Sequence, residues 1–181
     1  MLVLIPKKIK IEKFLLRKPK LSDSKELFLN YASDIDVAYF TTWKPHKDEN
    51  ETRIFLKKII ELWNLGKEYN FIIEEKNENK PIGLFKILFK QNDIVQVGYA
   101  LSKNYWGKGY MTKILKFMIS FLFNKNNIAE IQAFCDIENI ASQKVLIKSG
   151  MKFEKILKNY IIHPNISKTE KRDCMLFKIK K

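Results

Sequence analysis

Val97-Gly-Tyr-Ala-Leu-Ser-Lys-Asn-Tyr-Trp-Gly-Lys-Gly-Tyr-Met-Thr112 leads an apolar strand into a loop with two glycines and then into a helix. The first N–H groups of a helix have no acceptor inside it. They also lie at the positive end of the helix macrodipole. Gly107 and Gly109 let an anion come close to that backbone, and Lys108 adds a cation between them. The stretch therefore reads as an anion-binding turn. It is not a Walker loop, because Gly-Lys-Ser/Thr is missing. It is not a dinucleotide fingerprint either, because the third glycine and the later acidic residue are missing.

The flanking sequence supplies a sheet for that turn. Three strand signals precede it: Asn70–Glu74, Ile82–Phe89 and Ile94–Leu101. Turns at Asn77–Lys80 and Lys90–Asp93 separate them, which predicts an antiparallel meander. Further upstream, Phe14–Arg17 reads as a first strand. A helix follows it to about Ala32, with Ser22 as cap and Asp23 at its positive end. A second helix begins near Asp48 or Glu49, with Ile54, Phe55, Ile59, Leu62 and Trp63 on roughly a 3.6-residue period, and ends at Gly66. Downstream come a helix from about Met111 to Asn124, a strand Ala129–Cys135, a helix Ile140–Ser149 stopped by Gly150, and strands near Phe153–Tyr160 and Asp173–Ile179. The order βααβββαβαββ predicts an α/β (α+β) fold. Its mixed, mostly antiparallel sheet has about six to seven strands, with helices on both faces.

Whole-chain properties narrow the class. The 181 residues fit one domain, and 46% hydrophobic with 30% charged residues is a globular balance. The apolar run Ile114–Phe123 is broken by Lys116 and Ser120, short of the roughly 20 residues of a membrane span. Met1–Pro6 is too short for a signal-peptide core. Cys135, Cys174, His46 and His163 are scattered, so neither a disulfide framework nor a metal site is expected. A cytoplasmic protein without membrane partners is the expectation. The net charge of +14 sits mostly at the ends: residues 1–20 carry seven positive and one negative charge, and residues 152–181 carry nine and three. Such ends suit either a solvated surface or attraction to phosphate-bearing partners.

Tyr105-Trp-Gly-Lys-Gly-Tyr-Met111 resembles the acyl-CoA pyrophosphate loop of GNAT-superfamily N-acetyltransferases. Asn139-Ile-Ala-Ser-Gln-Lys-Val-Leu-Ile-Lys-Ser-Gly150 and the opening Leu15-Leu-Arg-Lys-Pro19 with Ser22-Asp23 are similar to the branch of ribosomal-protein N-terminal (alanine/serine) acetyltransferases. The resemblance covers about residues 12–180 in the expected order.

The resemblance implies transfer of acetyl from acetyl-CoA to an amine by direct attack, without a metal. Ala100, Leu101 and Ser102 would meet the pantetheine arm with their backbone. Trp106, Gly107, Lys108, Gly109, Tyr110 and Met111 would offer N–H groups to the diphosphate, and Thr112 a hydroxyl. Asn139 would reach the pantetheine or the substrate side of the thioester, and Ser142 the sulfur region, where Ser142 is the candidate for the thiolate side. Both also suit helix capping. Phe40, Trp43 and His46 lie where the acceptor pocket is expected, and suit lid packing as well. The acceptor would be a protein N-terminus, a polyamine or a small molecule. Ribosome association and a homodimer are open to the chain by the same resemblance.

The chain departs from the pattern in its chemistry. Gln96 stands near the position where many relatives carry a glutamate, Leu146 where many carry a tyrosine, and Asn104 and Met151 replace two further usual residues. Glu154 is the candidate base, with Asp136 and Glu138 as further carboxylates. Three readings of different class follow. One is the amine acetyltransferase. The second is a CoA-binding or ribosome-associated module with little catalysis, and the third is a general RNA-binding protein.

Overall fold

The structure is a computed structural model that describes residues 5–90, 93–125 and 127–181. The turn expected at Lys90–Asp93 and the stretch Met1–Pro6 therefore fall partly outside it. An eight-stranded sheet runs in the order β1-β2-β3-β4-β5-β6-β8-β7. The strands are β1 (Lys8–Ile11), β2 (Phe14–Arg17), β3 (Tyr69–Glu75), β4 (Lys80–Phe89), β5 (Ile94–Leu101), β6 (Glu130–Asp136), β7 (Lys152–Ile161) and β8 (Arg172–Lys180). Every pairing is antiparallel except β5 with β6. The strand beyond the expected six to seven is β1. Its lysines alternate with Ile9 and Ile11, whose side chains are buried against the core.

Two cores sandwich the sheet. Helices α4 (Tyr110–Lys125) and α5 (Ile140–Lys148) bury Ile114, Leu115, Met118, Leu122 and Leu146 against the odd residues of β3, β4 and β5, such as Phe71, Phe85 and Val97. On the other face lie α1 (Ser24–Leu27), α2 (Ile35–Ala38) and α3 (Glu49–Asn64), with Leu27, Val37, Leu56 and Ile59 over Ile72 and Leu84. This alternation along each strand is the period-2 pattern of a sheet buried on both sides.

The helices differ in detail from the sequence expectation. Asp48 caps α3 by accepting the N–H of Glu51 at 2.9 Å. The buried stripe of α3 is Thr52, Leu56, Ile59 and Trp63, while Ile54 points outward. The first helical segment is a 3₁₀ turn at Leu21–Asp23, then α1, then a π-helical turn at Phe28–Ala32. Asp23, rather than Ser22, fixes its start. Asp23 accepts the Lys20 N–H (2.8 Å) and a two-pronged contact from Arg17 (2.8 and 2.9 Å). Arg17 Nε also donates to Glu74 on β3 at 2.5 Å. This buried ionic cluster ties the first helical segment to the sheet. Burial alone would lower the Arg17 pKa, but its two carboxylates hold it above the ordinary value.

Candidate active site

The β5–β6 pair opens like a wedge. Parallel pairing covers only Ile94–Gln96 against Glu130–Gln132. Beyond it β5 continues to Leu101, still paired with β4, and β6 to Asp136, still paired with β8. The phase of the β4–β5 ladder decides which groups face the opening. At its ends Ser102 N–H donates to Ile82 O (2.7 Å) and Lys90 N–H to Ile94 O (2.9 Å). Antiparallel pairs alternate, so even-numbered residues of β5 bond to β4 and odd-numbered ones turn their N–H and C=O toward β6. Tyr99 and Leu101 thus face the wedge, and Ala100 and Ser102 face β4. Sequence reasoning does not find Tyr99, because ladder phase is a property of pairing.

The glycine loop stands at the mouth of the wedge. A 3₁₀ turn at Lys103–Tyr105 leads into it. The Trp106 indole N–H donates to Leu101 O at 2.7 Å, which anchors the loop to the end of β5. Residues 106–109 are exposed. Gly107 and Gly109 have φ of +72° and +71°, and a Cβ on either would meet no atom within 4 Å. Only glycine takes that conformation without strain. The first turn of α4 begins with Lys113 N–H donating to Gly109 O. The N–H groups of Gly107 through Thr112 find no acceptor among the described residues. Six consecutive donors are thus without an acceptor among the described residues at a helix N-terminus.

Other cations border the loop. Lys108 Nζ donates to Asn104 O (2.9 Å), and Lys13 Nζ from the β1–β2 turn donates to the Tyr110 hydroxyl (2.7 Å). That contact draws the Tyr110 pKa below its usual value. A cleft of about 440 Å³ opens on this flank, lined by Lys13, Glu75, Lys80, Ser102, Tyr105 and Lys108 among others.

Helix α5 closes the other lip. Asn139 caps it, its Oδ1 accepting the Ser142 N–H at 3.0 Å, while its Nδ2 donates to no described residue. The Ser142 hydroxyl lies 3.1 Å from the Tyr99 hydroxyl, a contact across the wedge. Burial raises the Tyr99 pKa above the usual phenol range, with Ser142 pulling the other way. Burial also pushes the Cys135 thiol up to about 11, partly offset by Ser142.

The carboxylates named from sequence all have cationic partners. Asp136 is buried and accepts from Arg172 Nε (2.6 Å) and Nη2 (3.1 Å). Burial pushes its pKa up, but Arg172 and the Glu138 N–H outweigh that and hold it below the usual value. Glu138 meets Arg172 at 2.8 Å. Glu154 is half-exposed on β7, two strands from β6, and pairs with Lys178 at 3.5 Å.

On the opposite face the β7–β8 loop grips the α2–α3 connection. Asn165 Nδ2 donates to Ala38 O (2.7 Å) and Trp43 O (2.8 Å), and His163 Nδ1 lies 3.1 Å from Thr41 O. Phe40 meets the His163 ring edge-on at 6.4 Å. Trp43 and His46 instead join an aromatic row with Tyr31 and Phe55. His46 Nδ1 lies 2.8 Å from Thr52 Oγ1, and burial lowers its pKa. Among the described residues no three His, Cys, Asp or Glu are placed to hold a metal, and no helix is long and apolar enough to cross a membrane.

The pattern of the Acetyltransferase (GNAT) domain matches residues 13–152. The chain belongs to the GNAT acetyltransferase family. It is an N-acetyltransferase with the mixed α/β fold of that family. One relative is the uncharacterized N-acetyltransferase p20 of Bacillus licheniformis, 29% identical over 151 residues, spanning 82% of this chain and 84% of p20. Among solved structures, the microcin C7 self-immunity acetyltransferase MccE in complex with acetyl-CoA and AMP superposes with a TM-score of 0.87 at 20% identity, covering 99% of each chain. The ribosomal-protein-S5-alanine acetyltransferase of Vibrio fischeri gives 0.79 at 24% identity, covering 96% of each.

Proposed function

We propose that this N-acetyltransferase takes acetyl from acetyl-CoA held across the loop and wedge, and passes it to an α-amine of low pKa, such as a protein N-terminus. The observation that carries the donor half is the run of six N–H groups, Gly107 to Thr112, without an acceptor among the described residues at the start of α4. A diphosphate fits such a run, and Lys108 adds charge beside it. The pantetheine arm would lie along the open edge of β5, opposite Tyr99 and Leu101. Asn139 would offer its spare Nδ2, and Ser142 would stand at the sulfur. MccE was solved in complex with acetyl-CoA, which supports the same donor here.

The acceptor half rests on electrostatics. Attack needs a neutral amine, usually supplied by a base. Asp136, Glu138 and Glu154 are each engaged by a cation, so the reading assigns no carboxylate base. The neutral fraction of the incoming amine then governs the rate. At pH 7.5 that fraction is about one third for an α-amine and about 0.1% for a lysine-like amine. The aromatic Phe40, beside His163, would wall the acceptor side. The ribosomal-protein acetyltransferase among the structural neighbours supports a protein acceptor.

The test is thiol release from acetyl-CoA in the presence of N-terminal peptides, including those of ribosomal proteins, and of polyamines. Peptides should react faster near pH 7.5, with a rate that levels off above about pH 9. Preferred turnover of polyamines at that pH would overturn the acceptor reading. Absence of any acetyl-CoA-induced thermal shift would overturn the donor reading.

A further inference from the structure

Ser142 is the side chain nearest the sulfur in the reading above, and its hydroxyl has a neighbour able to set its direction. Its N–H is spent on Asn139 Oδ1. Its hydroxyl has one proton to give and two lone pairs to fill. Ser149, just past the end of α5, spends its hydroxyl on Val145 O at 2.8 Å, the common use of serine in a helix. Ser142 makes no such bond among the described residues. Its hydroxyl partner is Tyr99, at 3.1 Å, and the Tyr99 hydroxyl has the Ser142 carbonyl at 3.4 Å as its other contact. Ser142 also offsets the rise that burial gives the Cys135 thiol pKa, but sulfur is a weak acceptor for its proton.

Tyr99 arrives from one lip of the wedge and Ser142 from the helix behind the other. The Tyr99 hydroxyl has both oxygens of Ser142 within reach, and the 3.1 Å contact between the two hydroxyls is open to either as donor. The phenol is the more acidic hydroxyl and so the better donor; when it donates to Ser142 Oγ, the Ser142 proton is left to point elsewhere. We propose that Tyr99 is a positioning residue that holds Ser142 Oγ–H as a donor toward the sulfur of CoA. This rests on the donor reading above.

The chemistry that follows is a hydrogen bond, not a relay. When the tetrahedral intermediate collapses, the C–S bond breaks and its electron pair goes to sulfur. Ser142 O–H donates to that thiolate. The proton lost by the amine goes to solvent, and the thiolate later takes one from water. Tyr99 keeps its own proton throughout, because its buried hydroxyl is a far weaker acid than a thiol.

CoA carrying ¹³C beside the sulfur tests this without any acceptor, since the carbon shift reports thiol ionisation. Bound to the native chain, the thiol should titrate about one pH unit below free CoA. Tyr99→Phe, which keeps the ring and its packing, should return most of that shift. Ser142→Ala should return all of it, and adding Tyr99→Phe to Ser142→Ala should change nothing more. An unshifted thiol in the native complex, or a Tyr99→Phe complex that titrates like the native one, overturns the proposal while CoA binding stands. A native chain that shows no thermal shift with CoA overturns the donor reading as well.

Discussion

Replacing Gly107 with valine separates the loop's structural task from the binding task proposed for it. A Cβ there would meet nothing within 4 Å, so the first side-chain carbon has room. The cost to the fold then starts with the backbone, which sits at φ +72°. That conformation costs a residue with a Cβ about 1–2 kcal/mol. For a chain of this size the melting temperature should fall by about 2–8 °C. The open space beside Gly107 is also where the diphosphate would lie against the loop. Ligand at 100 times Kd stabilises by about 2.7 kcal/mol, or roughly 5–10 °C in the native chain. In Gly107→Val that shift should vanish while the protein stays folded. Differential scanning fluorimetry with and without acetyl-CoA measures both quantities. A variant that keeps the full ligand shift would refute the assignment of the loop.

Four other outcomes are expected. Gly83→Ala places a Cβ 2.3 Å from the Ala100 carbonyl oxygen, which belongs to the backbone; stability should drop by about 1–3 kcal/mol, and an unchanged melting temperature would contradict the close β4–β5 approach. Arg17→Met strands Asp23 and Glu74 without their cation, so chemical denaturation should show a loss of about 3–5 kcal/mol. Asp136 has a depressed pKa, so its contribution is complete above about pH 4 and fades as pH falls through the folded value; Asp136→Asn should be less stable at pH 7 and lose less on acidification, as followed by urea midpoints. Burial pushes Cys135 up to about 11 and Cys174 up to about 12, so iodoacetamide at pH 8 should leave both intact in the native protein and label both in denaturant, as read by mass spectrometry.

The glycine loop and the cap of α5 are legible in the sequence because their signals are local. Gly107 and Gly109 announce a backbone that needs positive φ, and Asn139 three residues before Ser142 announces a cap. The strand meander is legible from turns and alternation. β1 is not, because a short Lys-Ile alternation counts equally as a basic terminus, and only pairing with β2 turns it into a strand. Ile54 reads as core from sequence because period alone leaves the centre of a helical stripe uncertain by a residue or two.

The chemical partners are not legible. Asp136 and Glu138 look like available carboxylates until Arg172, 36 and 34 positions away in sequence, takes both. Glu154 looks equally available until Lys178 pairs with it across neighbouring strands. Tyr99 has no place at the wedge on sequence grounds, since nothing along the chain tells which residues of β5 face β4.

Local preferences written into consecutive residues specified the elements, the glycine turn and the family, because each of those depends on neighbours within a few positions. Folding settled which side of β5 looks into the gap, which carboxylates are neutralised, and which hydroxyl meets Ser142. Those depend on strand register and on charges brought together from distant positions, and such encounters exist only once the sheet has closed around them.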